Sequence, residues 1–139
     1  MKMVAHVDTD VILDLLLDRM PFAEDAMTVF ALAEEKKANL FFSSISFVNV
    51  YYLKRKTSTH KEVIKMLQDL LHYGSLLSVN EQVIKAAMGS EFSDFEDAVQ
   101  YFSAKQNPKI THFITRNVKH FKKADLIVMT PEMFVKVAG

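Results

Sequence analysis

The sequence predicts an α/β fold in which helices cover both faces of a central parallel sheet of about five strands, a three-layer α/β/α arrangement. Short apolar segments typical of buried strands alternate with longer segments whose apolar residues recur every three or four positions. This alternation with short connections implies parallel strands covered on both faces, and the three Gly and three Pro residues leave little room for a flexible linker. Its 139 residues predict a single domain spanning 1–139.

Apolar segments bounded by polar residues are the strand candidates: 4–7, 40–42, 76–79, 110–114 and 126–129. In open parallel sheets, ligands bind at the carboxyl ends of the strands, near a change in strand order. The polar residues that directly follow the strands are therefore the first site candidates: Asp8, Ser43, Ser44, Thr115, Arg116 and Asn117.

Capping residues and apolar stripes predict the helices between these strands. Residues 8–10 supply N-cap side chains for the first helix, and Pro21 suits the first turn of the second. The next predicted helices are 47–55, a helix that follows the capping residues 57–59, and a helix at 81–88. A further helix is predicted from Ser93 or Asp94 to about Gln106, and a last short helix begins at Pro131.

Composition excludes several function classes. Seventeen basic and seventeen acidic residues balance to zero net charge, which excludes a strongly basic histone-like protein but leaves room for a local basic patch. The absence of cysteine excludes disulfides, thiolate zinc sites and cysteine nucleophiles. The apolar runs are far shorter than the roughly 18 residues that cross a bilayer, so we expect no membrane association and a cytoplasmic location.

Two groups of acids are candidate cation ligands. Asp8 and Asp10 follow the first strand, where carboxylates can hold a hard cation or serve as turn and N-cap residues. Residues 91–97 contain four acids, and the spacing of Asp94 and Asp97 predicts that they share one helix face. Crowded carboxylates repel and are neutralised by a cation; the alternative is an acid-rich first turn stabilised by the helix dipole.

Basic residues follow this acidic cluster. From Ala98 to Lys123 the sequence has no acid, and it carries these basic residues: Lys105, Lys109, His112, Arg116, Lys119, His120, Lys122 and Lys123. An acidic cluster beside a basic strip is typical of a metal site that meets a polyanion. The alternative is a solvated face of a neutral protein.

Four segments carry a family resemblance: VDTDVILDLL at 7–16, NVYYLKRK at 49–56, DFEDAVQY at 94–101 and ITRNVKHF at 114–121. In this order and spacing they resemble the bacterial PIN domains, which include the toxin ribonucleases of toxin–antitoxin pairs. The resemblance implies a PIN-like fold, Mg²⁺- or Mn²⁺-dependent cleavage of RNA, an antitoxin partner and a homodimer.

The resemblance also implies residue roles. Asp8 matches the family's first acid, Asp97 the acid that opens the long helix, and Asp94 a helper one turn earlier; together they are the expected metal ligands. Asn49, Asn117 and His120 stand where many members have acids, which leaves fewer carboxylates for a metal. The expected catalytic residues are Asp8, Asp94, Asp97 and Asn117, and the expected substrate-binding residues are Asn49, Thr115, Arg116, Lys119 and His120.

Two other functions remain open at this point. One is a catalytically weakened PIN-like module that binds RNA or protein. The other is a phosphatase of the haloacid-dehalogenase type, because residues 8–11 match its DxD[TV] motif with Asp8 as nucleophile and Asp10 as acid/base. The acid-free stretch 117–123 argues against the phosphatase, which needs paired acids after a late strand.

Overall fold

A five-stranded, all-parallel sheet forms the centre of the computed structural model, which describes residues 2–122 and 124–139. In chain order the strands are β1 (Met3–Val7), β2 (Ala38–Ser43), β3 (Gly74–Leu77), β4 (His112–Ile114) and β5 (Ile127–Met129). In space their order is β3-β2-β1-β4-β5. The chain therefore builds one side of the sheet first and then crosses to the other side of β1, which creates a switch point between β1 and β4.

Helices fill the crossover connections. They are α1 (Thr9–Leu16), α2 (Ala23–Glu34), α3 (Ser44–Lys54), α4 (His60–Leu70), α5 (Glu81–Met88), α6 (Phe95–Lys105) and α7 (Pro131–Ala138), with a short 3₁₀ helix at Val118–Phe121. Thr59 and Glu62 form a capping box at the start of α4. Within the part of the chain that the structure describes, no helix is both long and apolar enough to cross a membrane.

The core lies in two layers, one on each face of the sheet. On one face, Ala5 and Val7 of β1 pack in one apolar cluster with residues of α1, α2 and α7. On the other face, Val4 packs in a second cluster with Phe113 of β4 and Tyr101 of α6. Successive residues of a strand point to opposite faces, so this alternation along β1 explains the three-layer α/β/α fold that the sequence predicted.

Several element boundaries differ from the sequence predictions. β3 begins at Gly74 instead of residue 76, because its pairing with β2 runs from Leu40↔Gly74 to Ser43↔Leu77. A Cβ at Gly74 would lie 2.5 Å from the carbonyl oxygen of Leu40, so this close approach requires glycine. The strand ends before Ser78, whose carbonyl oxygen accepts hydrogen bonds from side chains of α6 and its C-cap.

The predicted first residues of two further elements, α3 and β4, also differ from the structure. The helix α3 begins at Ser44, three residues before the predicted start, because Ser43 already has the extended backbone of an N-cap residue. β4 spans only His112–Ile114, since the backbone N–H of Ile110 donates to Asn107 in the preceding turn. The ends of β1, β4 and β5 are as predicted, and the ends of β1 and β4 position the site.

Candidate functional site

Acidic side chains from two distant parts of the chain line one cleft at the switch point. Asp8 and Asp10 come from the junction of β1 and α1, and Asp94, Glu96 and Asp97 come from the start of α6. The cleft has a volume of about 220 Å³. We call Asp8, Asp10, Glu96 and Asp97 with the space between them the acidic cleft. The structure thus brings together the two acidic groups that the sequence singled out, with the exception of Glu91, which lines a neighbouring cavity.

Asp8 is held in a fixed orientation at the end of β1. Its backbone N–H donates to the carbonyl of Ile114 at 2.9 Å, which continues the sheet pairing between β1 and β4. Its carboxylate accepts hydrogen bonds from Gln100 Nε2 at 2.8 Å and from Thr115 Oγ1 at 2.6 Å. Burial raises the pKa of Asp8, and these two hydrogen bonds oppose the shift.

Gln100 is a site residue that the sequence analysis missed. Its side chain is fully buried, and its Oε1 accepts from the backbone N–H of Thr9 and from the hydroxyl of Ser46, both at 3.2 Å. These contacts fix the orientation of the Gln100 amide, so that its NH₂ group is directed at Asp8. Its position three residues after Asp97, in an otherwise apolar part of α6, is the signal that could have found it.

Asp10 carries the least compensated oxygen of the cleft. Its Oδ2 accepts a hydrogen bond from Asn117 Nδ2 at 3.0 Å, whereas its Oδ1 is buried and has no hydrogen-bond partner. Burial and the nearby charge of Asp8 raise the pKa of Asp10 to about 8. An unsatisfied buried acceptor of this kind is costly, and a cation or proton would relieve it.

Asp97 and Glu96 complete the acidic cleft from α6. Burial, followed by repulsion from Asp8 and Asp94, raises the pKa of Asp97 to about 6, although His120 opposes the shift. Glu96 also has a raised pKa, with burial as the main cause. The carboxyl groups therefore repel one another across the cleft, which favours a neutralising ligand.

Asn49, Asn117 and His120 each contact a different acid of the cleft. Asn49 Nδ2 donates to Glu96, Asn117 Nδ2 donates to Asp10, and His120 Nδ1 hydrogen-bonds Asp97 Oδ2 at 2.9 Å. The sequence analysis identified these positions as departures from the usual acids. The structure shows what the replacements do, since each one is a hydrogen-bond partner for a remaining carboxylate.

Asp94 lies at the edge of the site. Asp94 precedes the first residue of α6 as its N-cap, one turn before Asp97, and both side chains line the cleft. Its Oδ1 accepts the backbone N–H of Asp97 at 2.9 Å, so the side chain fixes the start of the helix. Its exposed charge still raises the pKa of Asp97 and Glu96.

Of the remaining predicted basic residues, Lys119 is exposed beside the cleft, and Lys123 lies outside the described residues. Arg116 does not line the cleft, although its charge opposes the rise in the pKa of Asp10. The guanidinium of Arg116 makes a bidentate ion pair with buried Asp14, at 2.6 and 3.1 Å, and lies 4.0 Å from the centre of the Phe22 ring. Ser43, another strand-end residue, is fully buried and hydrogen-bonds His6 Nε2 at 2.9 Å. The side chains of Arg116 and Ser43 are therefore engaged inside the fold.

Comparison with known proteins identifies the family. The sequence matches the PIN domain over residues 5–119, which is most of the chain. The protein belongs to the PIN domain family. This confirms the resemblance that the four sequence segments indicated. A search of curated proteins finds no match.

Solved structures with the same PIN fold come from several bacteria. VapBC-1 from nontypeable Haemophilus influenzae matches with a TM-score of 0.67 and 19% identity, over 94% of this chain and 99% of that chain. VapBC2 from Rickettsia felis, bound to a promoter DNA fragment, matches with a TM-score of 0.63 and 16% identity, over 92% of this chain and 98% of that chain. A toxin-antitoxin complex from Klebsiella pneumoniae matches with a TM-score of 0.64 and 20% identity, over 91% of this chain and 97% of that chain. At these identities the likeness supports the fold alone.

The donor chemistry of this PIN domain suits a divalent cation. Carboxylate oxygens are the ligands that Mg²⁺ and Mn²⁺ prefer, and the buried Oδ1 of Asp10 lacks a partner. Among residues 2–122 and 124–139, however, no group of three or more acidic or histidine side chains is already arranged to hold a metal. The carboxylate oxygens of the acidic cleft accept hydrogen bonds from Asn49, Asn117, His120 and other side chains. A cation can bind these oxygens only when some of the donor side chains turn away from them.

Proposed function

We propose that this PIN domain is a metal-dependent ribonuclease that hydrolyses phosphodiester bonds of RNA. The observation that supports this best is the acidic cleft itself. Carboxyl groups whose pKa values are raised, first by burial and then by repulsion from neighbouring acids in the case of Asp10 and Asp97, lie together at the switch point of an open parallel sheet. A protein keeps such a cluster, at a cost in stability, when the charges serve a ligand.

In this proposal Asp8, Asp10, Glu96 and Asp97 hold Mg²⁺ or Mn²⁺. The bound ion would lower the pKa of a water molecule and offset charge in the transition state. Gln100 and Thr115 hold Asp8 as an oriented carboxylate, because their donors already occupy its two oxygens. Asn117 and His120 sit at the mouth of the cleft, are exposed, and can contact substrate phosphate when they release Asp10 and Asp97.

We also propose that the protein is the toxin of a toxin–antitoxin pair. The similar structures are described as VapBC and toxin-antitoxin complexes, and their partner proteins suggest an antitoxin for this chain. A homodimer and action in the cytoplasm, where such an RNA target would be, stay predictions of this proposal. Co-purification of the chain with the product of an adjacent small gene would test the antitoxin.

The decisive experiment measures RNA cleavage with Mn²⁺ by the wild type, Asp8→Asn and Asp97→Asn. We expect each substitution to lower the cleavage rate by at least about 100-fold, because it removes a charged ligand of the proposed ion. Asp69→Asn is the matched control, since Asp69 is an exposed acid on α4 that pairs with Lys65. Equal cleavage by all four proteins would overturn the proposal, and RNA binding without cleavage by any of them would instead support a weakened, binding-only module.

A further inference from the structure

A second and larger cavity adjoins the acidic cleft. It has a volume of about 510 Å³, within the range of roughly 300–1,000 Å³ that is common for small-ligand sites. His120 lines both cavities, so the two share a wall. We call this space the aromatic cavity and define it by these lining residues: Ser90, Phe92, Phe102, Lys119, His120 and Lys122.

The lining of the aromatic cavity combines ring surfaces with cations. Phe92 and Phe102 are half-buried there, and Phe92 packs against Tyr101, which also lines the cavity, and Phe121, at ring distances of 5.2 and 5.6 Å. Lys119 and Lys122 are exposed on the same rim, together with the acid Glu91. Aromatic rings that stack on bases, beside cations that contact the backbone, are how proteins bind single-stranded nucleic acid.

We infer that the aromatic cavity is a nucleotide subsite, in which a single-stranded RNA that crosses the acidic cleft places one unpaired base against Phe92. Lys119 and Lys122 contact the phosphates beside that base. This inference rests on the proposed function and adds to it that the substrate is unpaired at this nucleotide, since a base within a duplex is stacked on its neighbours and cannot enter a cavity. It also gives Phe92 a role that the acidic cleft alone does not require.

The test uses a short single-stranded RNA in which each base in turn is removed as an abasic ribonucleotide. Binding is measured in the Asp8→Asn background, so that cleavage does not interfere. With Phe92 intact, we expect one position at which loss of the base weakens binding by about 5-fold to 150-fold, the range found for base–aromatic stacking. Phe92→Leu keeps an apolar side chain in the aromatic cluster, and in this variant the effect at that position should disappear.

A second pair of variants tests the cations without touching the core. Lys119→Ala with Lys122→Ala should lower the slope of log affinity against log salt by about 0.7 for each lysine that contacts a phosphate. Lys109→Ala is the matched control, because Lys109 is an exposed lysine that precedes β4 and so lies at the opposite end of the sheet. Its substitution should leave the slope unchanged.

The outcomes separate this inference from the proposed function. If every abasic position behaves alike, or if the positional effect survives in Phe92→Leu, the subsite is wrong and the cavity has another occupant, such as a partner protein. Cleavage by the wild type would then still support the nuclease. If the positional effect depends on Phe92 while no protein cleaves RNA with Mn²⁺, the subsite stands and the proposed nuclease activity does not.

Discussion

The guanidinium group of Arg116 is engaged within the protein. It lies two residues after β4, which made it a predicted substrate contact, but its Nε and Nη2 donate to Asp14, a carboxylate with a side-chain exposure of 1%. Arg19 also lies near Asp14, at 3.7 Å. A residue's place after a strand therefore does not reveal whether its charge faces solvent or a buried partner elsewhere in the chain.

We predict that Arg116→Ala lowers the free energy of unfolding by about 3 kcal/mol, the lower end of the range for breaking a buried ion pair. The lower end applies because the Arg116 side chain is 27% exposed and Arg19 remains near Asp14. Urea denaturation measures the change, and exposed Lys119→Ala should shift the same quantity by less than about 0.5 kcal/mol. A stable Arg116→Ala variant with weakened RNA binding would show instead that the guanidinium serves the substrate.

Asn117 illustrates how one amide can balance a buried acid. It donates to Asp10 Oδ2, so Asn117→Asp removes this donor and adds a like charge beside Asp10. Without metal, we predict that this variant loses about 1–3 kcal/mol of unfolding free energy. On addition of Mn²⁺, its melting temperature should rise more than that of the wild type. Asn39→Asp, on an exposed position of β2, is the control; the idea fails if both variants respond to Mn²⁺ as the wild type does.

At the level of elements, local sequence patterns predicted the strands and helices well because each pattern is set by nearby residues. Thr59, within the predicted cap 57–59, caps α4 in the structure, and the predicted helix 81–88 is α5. The start of β3 at Gly74 was not predictable, since it depends on pairing with β2 and on contact with the Leu40 carbonyl. The role of Gln100 and the contact of Glu96 with Asn49 were missed for the same reason: the sequence does not show that α6 packs beside β1 and α3.

The start of α6 allows a test of whether Asp94 is a metal ligand or a cap. We predict that Asp94→Ala lowers the free energy of unfolding by about 1 kcal/mol, because the backbone N–H of Asp97 loses its acceptor. Asp94→Asn keeps an accepting oxygen and should retain both stability and Mn²⁺-dependent cleavage. If Asp94→Asn abolishes cleavage while it leaves stability unchanged, Asp94 acts as a ligand, as the sequence analysis expected.

At the level of the whole molecule, two buried groups give the fold opposite responses to pH. Burial lowers the pKa of His6 from 6.5 to about 3, so its contribution to stability is present above pH 6.5 and is lost as pH falls toward 3. Asp10 behaves in the opposite sense. Its pKa rises from 3.8 to about 8, so its contribution is present below pH 3.8 and is lost as pH rises toward 8.

In mildly acidic solution both His6 and Asp10 change the stability with pH. Above pH 6.5 His6 is neutral in both the folded and the unfolded chain, so of these two groups only Asp10 still changes the stability. We therefore predict that the metal-free protein loses unfolding free energy between pH 6.5 and 8, by up to about 1.4 kcal/mol per pH unit. Urea denaturation in a chelator should show this decline in the wild type and not in Asp10→Asn, whose amide oxygen can still accept from Asn117. Mn²⁺ at pH 8 should restore stability to the wild type more than to the variant, because the cation binds the ionised carboxylate. An equal decline in both proteins would mean that a group other than Asp10 takes up the proton.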